Sequence, residues 1–323
     1  MLAFSLKRLF QAIVVMLAMS MLVFIGVYAI GNPIDVLIGS EATQQMRQEL
    51  VERYGFHLPL YQQYAAFLGR LLQGDFGQSL VFNMPVAKLI WSRLPATLEL
   101  ALAAVAFATL VGVPLGMYAG YRPDAASSRL IVALSVIGFS VPTFWIGLVL
   151  IFTFSVSLGW LPAGGRGETT SLLGIEWSVL TRDGWRHLVL PALTLSLFKL
   201  ALMIRLARAG TREMLLSESV RFARATGQGE ATILFRHVLK LIAIPIVAVF
   251  GLELGSTLAF AVVTETIFSW PGVGKLIIDA IFSLDRPVML AYLILVALLF
   301  VLINFVVDLV YVGLDPRLRK GRA

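Results

Sequence analysis

Cysteine is absent from the 323 residues, which excludes disulfides and thiolate chemistry. Histidine is scarce: His57, His187 and His237 stand far apart, at no spacing that holds a metal. No G-x-x-x-x-G-K-S/T stretch occurs, so the chain is not expected to bind or hydrolyse ATP itself. No Ser/His/Asp grouping points to a hydrolase, and neither a short repeat nor a low-complexity tract is found. Charge is sparse too, with Asp, Glu, Lys and Arg making up 14% of the chain. The balance is basic, formally +7, yet no basic face is interleaved with stacking aromatics, so nucleic acid is not an expected partner.

What is present is apolar. Hydrophobic residues make up 59% of the chain and the mean hydropathy is +0.87, outside the soluble range. Six stretches are long enough to cross a bilayer, at about 9–30, 96–120, 130–158, 188–206, 239–264 and 288–312. The expected fold is therefore an all-α integral membrane protein of six transmembrane helices. The first run follows Lys7 and Arg8, is too long for a signal-peptide core and lacks a small-x-small exit, so it reads as an uncleaved span. Pro95, Pro191, Pro245 and Pro287 are expected in first turns, where a missing N–H costs nothing, and Pro114 and Pro142 to kink the second and third spans. Basic residues gather in one set of connections, among them Lys7, Arg8, Arg122, Arg129, the 205–240 loop and the residues after 316. That bias predicts cytoplasmic termini and a cytoplasmic 205–240 loop.

The organisation expected is thus a first transmembrane helix at 1–30, an external cap segment at 31–94, a five-helix core at 95–312 and a cytoplasmic tail at 313–323. The cap should hold an amphipathic helix at 41–54 and another at 60–72, separated by a turn at 55–59. The second external segment, 159–187, is expected to be irregular around Gly164 and Gly165.

The 205–240 loop carries too many guanidinium groups to lie in hydrocarbon. Helix formers flank Gly227 and Gly229, which predicts two helices meeting at a glycine turn. Within the spans, Glu253, Ser256 and Thr257 form a polar, small-residue stripe. It reads either as the lining of a translocation path or as close helix packing. Lys199 is placed to snorkel from the fourth span. Glu99 and Asp308 are expected near the interfaces, and Asn304 shares a helical face with Asp308.

The run Val220-Arg-Phe-Ala-Arg-Ala-Thr-Gly227, with Arg236-His237 and Ile244-Pro245, resembles the "EAA" loop of the dipeptide/oligopeptide/nickel permeases of ABC importers. The likeness continues in Gly74-Asp-Phe-Gly77 with Ser79, Arg93-Leu-Pro-Ala-Thr-Leu98 and His187-Leu-Val-Leu-Pro191. It closes with Thr264-Glu-Thr-Ile-Phe-Ser-Trp-Pro-Gly-Val-Gly274, Asn304, Asp308 and Leu314-Asp-Pro-Arg317. The chain departs from the general pattern at Lys240, where proline is usual, and at Arg221 and Phe222, where Glu and Ala are usual.

The resemblance implies a type I ABC-importer permease fold in a bacterial cytoplasmic (inner) membrane. It implies a second homologous permease subunit, two cytoplasmic ATPase subunits that hold ATP and Mg, and an extracytoplasmic solute-binding protein. This chain would bind no cofactor and be no enzyme. Arg221, Phe222, Ala223, Arg224 and Gly227 would form the ATPase-coupling helix, with Phe222 and Ala223 as close-packing surface and the arginines addressing acidic positions. Glu265, Phe268, Trp270, Pro271 and Gly272 would form an external re-entrant segment at the outer gate. Di- and oligopeptides are the first expected substrates; nickel chelates, glutathione or a peptide antibiotic are the alternatives. The rivals from other classes are a proton-coupled secondary transporter using Glu253 with Lys199, and a non-transporting membrane scaffold.

Overall fold

The computed structural model describes residues 2–29, 44–45, 48, 57–79 and 81–314. In hydrocarbon a helix satisfies its own backbone groups, and long helices set the frame. α1 (Leu2–Ala29) contains the apolar run Ile13–Gly26 and is followed by the short α2 (Leu60–Leu72). Next come α3 (Val86–Tyr121), α4 (Ala126–Ser140) and α5 (Thr143–Leu150), the last continued by a π-helical stretch, Ile151–Ser157. A two-stranded antiparallel sheet, β1 (Thr170–Leu172) with β2 (Ile175–Trp177), precedes α6 (Arg182–Leu215). α7 (Glu218–Ala225) is short. α8 (Glu230–Thr232) runs through a π-helical stretch, Ile233–Val238, into α9 (Leu239–Phe260). α10 (Val262–Ile267), α11 (Val273–Phe282) and α12 (Arg286–Leu314) complete the order.

Among the described residues four helices are long and apolar enough to cross a membrane: Val86–Tyr121, Arg182–Leu215, Glu230–Phe260 and Arg286–Val307. The pair Ala126–Ser140 and Thr143–Ser157 makes a fifth if its two halves are one span. That pair is bent by 105°, so Pro142 breaks the predicted third span rather than kinking it. Proline has no N–H to donate, and it pushes the residue before it out of the helical region; Val141 sits at ψ 133°.

Two further expectations need correction. Pro95, Pro191 and Pro245 lie inside helices, not in first turns, because those helices extend beyond the apolar runs. Val86, Leu89, Ile90 and Leu94 are buried against Val273, Leu276 and Val288, and this packing holds the extra turns of α3. The fold is mostly helical, but the 159–187 segment, expected to be irregular, contains the β1–β2 hairpin. Its turn residues, Leu173 and Gly174, have positive φ (56° and 77°), as two-residue hairpin turns require. Glu99 is buried (3% exposed), and Lys199 lies on α6 six residues before Arg205. The helix expected at 41–54 falls outside the described residues, apart from Gln44, Gln45 and Gln48, which are helical.

The pair at the centre is α3 against α6. Ala104, Ala108, Gly112, Gly116 and Gly120 recur every four residues along α3 and are all buried. A small-residue stripe of this kind lets two backbones approach closely where lipid offers no hydrophobic drive. A Cβ at Gly116 would lie 2.5 Å from the Ile204 carbonyl oxygen and 2.7 Å from Ala207 Cβ. Backbone cannot step aside as a side chain can. Gly116→Ala is therefore expected to destabilise the chain by about 1–3 kcal/mol, read as a lower melting temperature in detergent.

Candidate functional site

Three polar regions stand out, and the basic loop is the most exposed. α7 sits on an apolar base made by Val113, Met117, Met203, Ala207, Ile233 and Ile242, into which it inserts Val220 and Ala223. The two inserted residues are three apart, so they share one helical face. Ala223 is thus turned inward (1% exposed), a correction to its expected place on an outward packing surface, and Phe222 alone of the two projects outward (71% exposed). Leu216 and Phe235 are also exposed nearby, and no motif in the sequence singles them out. The arginines already have carboxylate partners. Arg221 pairs with Glu218 at 3.1 Å, and Arg224 donates to both oxygens of Glu230, at 2.9 and 3.2 Å. The hydrogen bond to Glu230 holds the Arg224 guanidinium above its ordinary pKa.

The glycine turn has a specific geometry. Gly227 adopts φ 76°, its N–H donates to the Arg224 carbonyl at 3.0 Å, and the N–H of Gln228 donates to the Ala223 carbonyl at 3.1 Å. This is the paired C-terminal cap that a left-handed residue after a helix allows. It turns the chain back toward α8 and the π-helical stretch that follows, where His237 Nε2 lies 2.8 Å from Gln228 Oε1.

The second region lies between α6 and α9. Lys199 Nζ donates to Glu253 Oε2 at 3.2 Å, with both side chains largely buried. Ser256 and Thr257 do not bond across to another helix. Both hydroxyls donate back to the Glu253 carbonyl on their own helix, as Ser and Thr do at this spacing. Gly251 and Gly255 instead admit α12, facing Val307 and Phe300. Asn304 likewise donates to the Phe300 carbonyl of its own helix, at 2.8 Å.

The third region ties α10 and α11 to α3. Glu265 is fully buried; Oε1 accepts from Thr97 Oγ1 at 2.6 Å and Oε2 from the Lys275 N–H at 2.8 Å. Thr97 Oγ1 in turn accepts from the Val273 N–H at 2.9 Å, and Trp270 Nε1 donates to the Ala96 carbonyl at 2.8 Å. Phe268 and Trp270 are buried, and Gly272 leaves room for the Glu265 carboxylate, which a Cβ there would overlap. Pro271 lies within the tight turn where the Gly272 N–H donates to the Trp270 carbonyl at 2.8 Å. The residues assigned to an outer gate are therefore brought together in one hydrogen-bonded knot. The hairpin segment reaches it as well, through the Gly165 N–H and the Phe268 carbonyl at 2.8 Å. Arg166, which no sequence motif marks, pairs with Glu99 at 2.9 Å beside this contact. Its one signal in the sequence is a lone arginine in a glycine-rich stretch.

Residues 112–320 match the family of binding-protein-dependent transport system inner membrane components, and residues 1–101 match the N-terminal membrane component of the same systems. The chain is 41% identical, over all of both chains, to the di/tripeptide transport system permease protein DppB of Pseudomonas aeruginosa. It is 37% identical to the oligopeptide transport system permease protein AppB of Bacillus subtilis, covering 98% of this chain and 99% of that one. The glutathione transport system permease protein GsiC of Escherichia coli is 36% identical, with 99% of each chain covered. Among solved structures, a chain of the MetNI methionine ABC transporter in inward-facing conformations matches with a TM-score of 0.56. That match covers 71% of this chain and 96% of that chain at 16% identity, a likeness of fold.

Proposed function

The chain belongs to the family of binding-protein-dependent transport system inner membrane components, and from that premise we propose that it carries di- and oligopeptides across the bacterial inner membrane. Its role is that of a permease subunit of an ABC importer, and the family is one of membrane permeases rather than enzymes. The observation that carries the peptide assignment is full-length identity of 41% and 37% to di/tripeptide and oligopeptide permeases. A second reading has its own support, since the glutathione permease relative is 36% identical and glutathione is itself a tripeptide.

In this reading the helices α1, α3, α4 with α5, α6, α8 with α9, and α12 make six spans with both termini cytoplasmic. The basic bias of the 205–240 loop supports that orientation. A second permease subunit, two ATPase subunits holding ATP and Mg, and a solute-binding protein complete the transporter. α7 is the coupling helix: Phe222 enters a groove on an ATPase, Arg221 and Arg224 border it, Ala223 seats the helix on its base, and Gly227 sets its angle. ATPase closure then moves α7, and the spans rock between inward-open and outward-open states. Glu253, Ser256 and Thr257 lie along the path, and the knot of Glu265, Phe268, Trp270, Pro271 and Gly272 shapes the outer gate.

The test is uptake of labelled di- and tripeptides in cells with and without this gene, repeated after deletion of the partner ATPases. Loss of uptake in both deletions is the expected result. Glutathione uptake that depends on the gene, with peptide uptake unchanged, would move the assignment to the second reading. Peptide uptake that needs the gene but not the ATPases would point to a proton-coupled carrier built on Lys199 and Glu253.

A further inference from the structure

Glu253 stands on α9 about 20 Å beyond Lys240 at 1.5 Å per residue, and Lys199 lies in the apolar stretch of α6 that precedes Arg205. The two side chains meet with Nζ and Oε2 3.2 Å apart. Among the described residues neither has another ion partner. The two side chains remain 10% and 16% exposed, so the pair reaches a surface of this subunit. A charged pair at that depth does not face lipid; it faces other protein or a water-filled cavity. The surface carrying Lys199 and Glu253 is therefore covered by the neighbouring permease or opens on the path between the subunits.

The pair's chemistry narrows what passes there. At rest the charges neutralise each other, so the empty site leaves no buried charge uncompensated. A solute with one charge cannot open the pair without stranding the other member. A solute with both charges can, because each member exchanges its partner for a new one of the same sign. Lys199 has a flexible four-carbon stem, which lets its charge swing away from Glu253 to the span of a short peptide. We infer that Lys199 and Glu253 form a charge-reading site for zwitterionic peptides, Lys199 taking the terminal carboxylate and Glu253 the terminal ammonium. This rests on the peptide-permease reading above.

The experiment uses the assembled transporter with its binding protein saturated, saturation being measured separately for each peptide. A labelled dipeptide with free termini is compared with its C-amidated and N-acetylated forms. Lys199→Met is expected to lower uptake of the free dipeptide by about tenfold or more, the factor set by one charge-assisted hydrogen bond. The C-amidated form, which has no carboxylate to place, should be spared. Glu253→Gln should show the reverse pattern, sparing the N-acetylated form. A pair that merely braces α6 against α9 predicts something else. Both single variants would then lose all three peptides alike, and Lys199→Met with Glu253→Gln would recover them together; that result overturns the inference. So does uptake by either single variant with the preference among the three peptides unmoved. Absence of peptide uptake by the unaltered chain overturns the peptide reading itself, and this inference with it.

Discussion

Substituting proline for Gly227 is expected to abolish uptake while leaving the chain in the membrane at close to its normal level. The reason is local geometry. Gly227 holds φ 76°, whereas the pyrrolidine ring locks φ near −65°. Proline also removes the N–H that donates to the Arg224 carbonyl at 3.0 Å. Giving up a left-handed residue of this kind costs roughly 1–3 kcal/mol. That is too little to unseat the apolar base under α7, where Val220 and Ala223 stay buried. It is enough to change the angle at which α7 leaves the turn, and with it the place of Phe222. Gly227→Ala separates angle from bulk. A Cβ at this position meets nothing within 4 Å, so the penalty is backbone strain alone and partial uptake should survive. Membrane fractionation, uptake and co-purification of the ATPases read the three consequences separately. Normal uptake by the proline variant would remove α7 from the coupling role.

How far the sequence foretells this loop depends on which property is local. The conformation at Gly227 belongs to one residue type, so the glycine turn is legible from the residues alone. The inward turn of Ala223 is encoded in its i, i+3 spacing to Val220, but one apolar pair in a basic helix is a faint signal beside the adjacent Phe222. Apolar run lengths mark the spans because the bilayer sets them, yet the helix ends overshoot those runs. The turns added at Val86–Leu94 and after Arg205 are held by tertiary packing, which no single window of sequence contains. The pairings are the least legible. Lys199 and Glu253 are 54 positions apart, Thr97 and Glu265 are 168 apart, and each alone reads as a polar residue in an apolar run. The β1–β2 turn is hidden for a different reason: Leu173 at positive φ is a poor turn signal, and Gly174 alone does not reveal the hairpin.

Glu99→Leu is expected to cost about 3–5 kcal/mol and to free the hairpin, because it leaves a buried guanidinium without its counter-charge. The Glu99 carboxylate ties the hairpin segment to α3 at several points. Oε2 accepts from Arg166 Nε at 3.0 Å and from Ser178 Oγ at 2.7 Å, while Oε1 accepts from the Ser178 N–H at 2.6 Å. Arg166 passes the tie onward, donating to the Glu176 carbonyl of β2 at 2.6 Å. The side chains of Arg166 and Glu99 are 9% and 1% exposed, so water reaches the guanidinium only if the hairpin opens. Since the Gly165 N–H holds the Phe268 carbonyl, loosening this anchor should also loosen the knot around Glu265. The double variant Glu99→Leu with Arg166→Met decides whether charge or shape is at stake. It removes both charges and should recover much of the lost stability, leaving the smaller loss of the unpaired Ser178 N–H, about 1–3 kcal/mol. Melting temperature in detergent measures the first effect, and the rate of proteolysis within 160–181 measures the second. A single variant that melts within about 1 kcal/mol of the parent, with its hairpin still protected, would show that the Glu99–Arg166 pair is not what holds the external hairpin to the bundle.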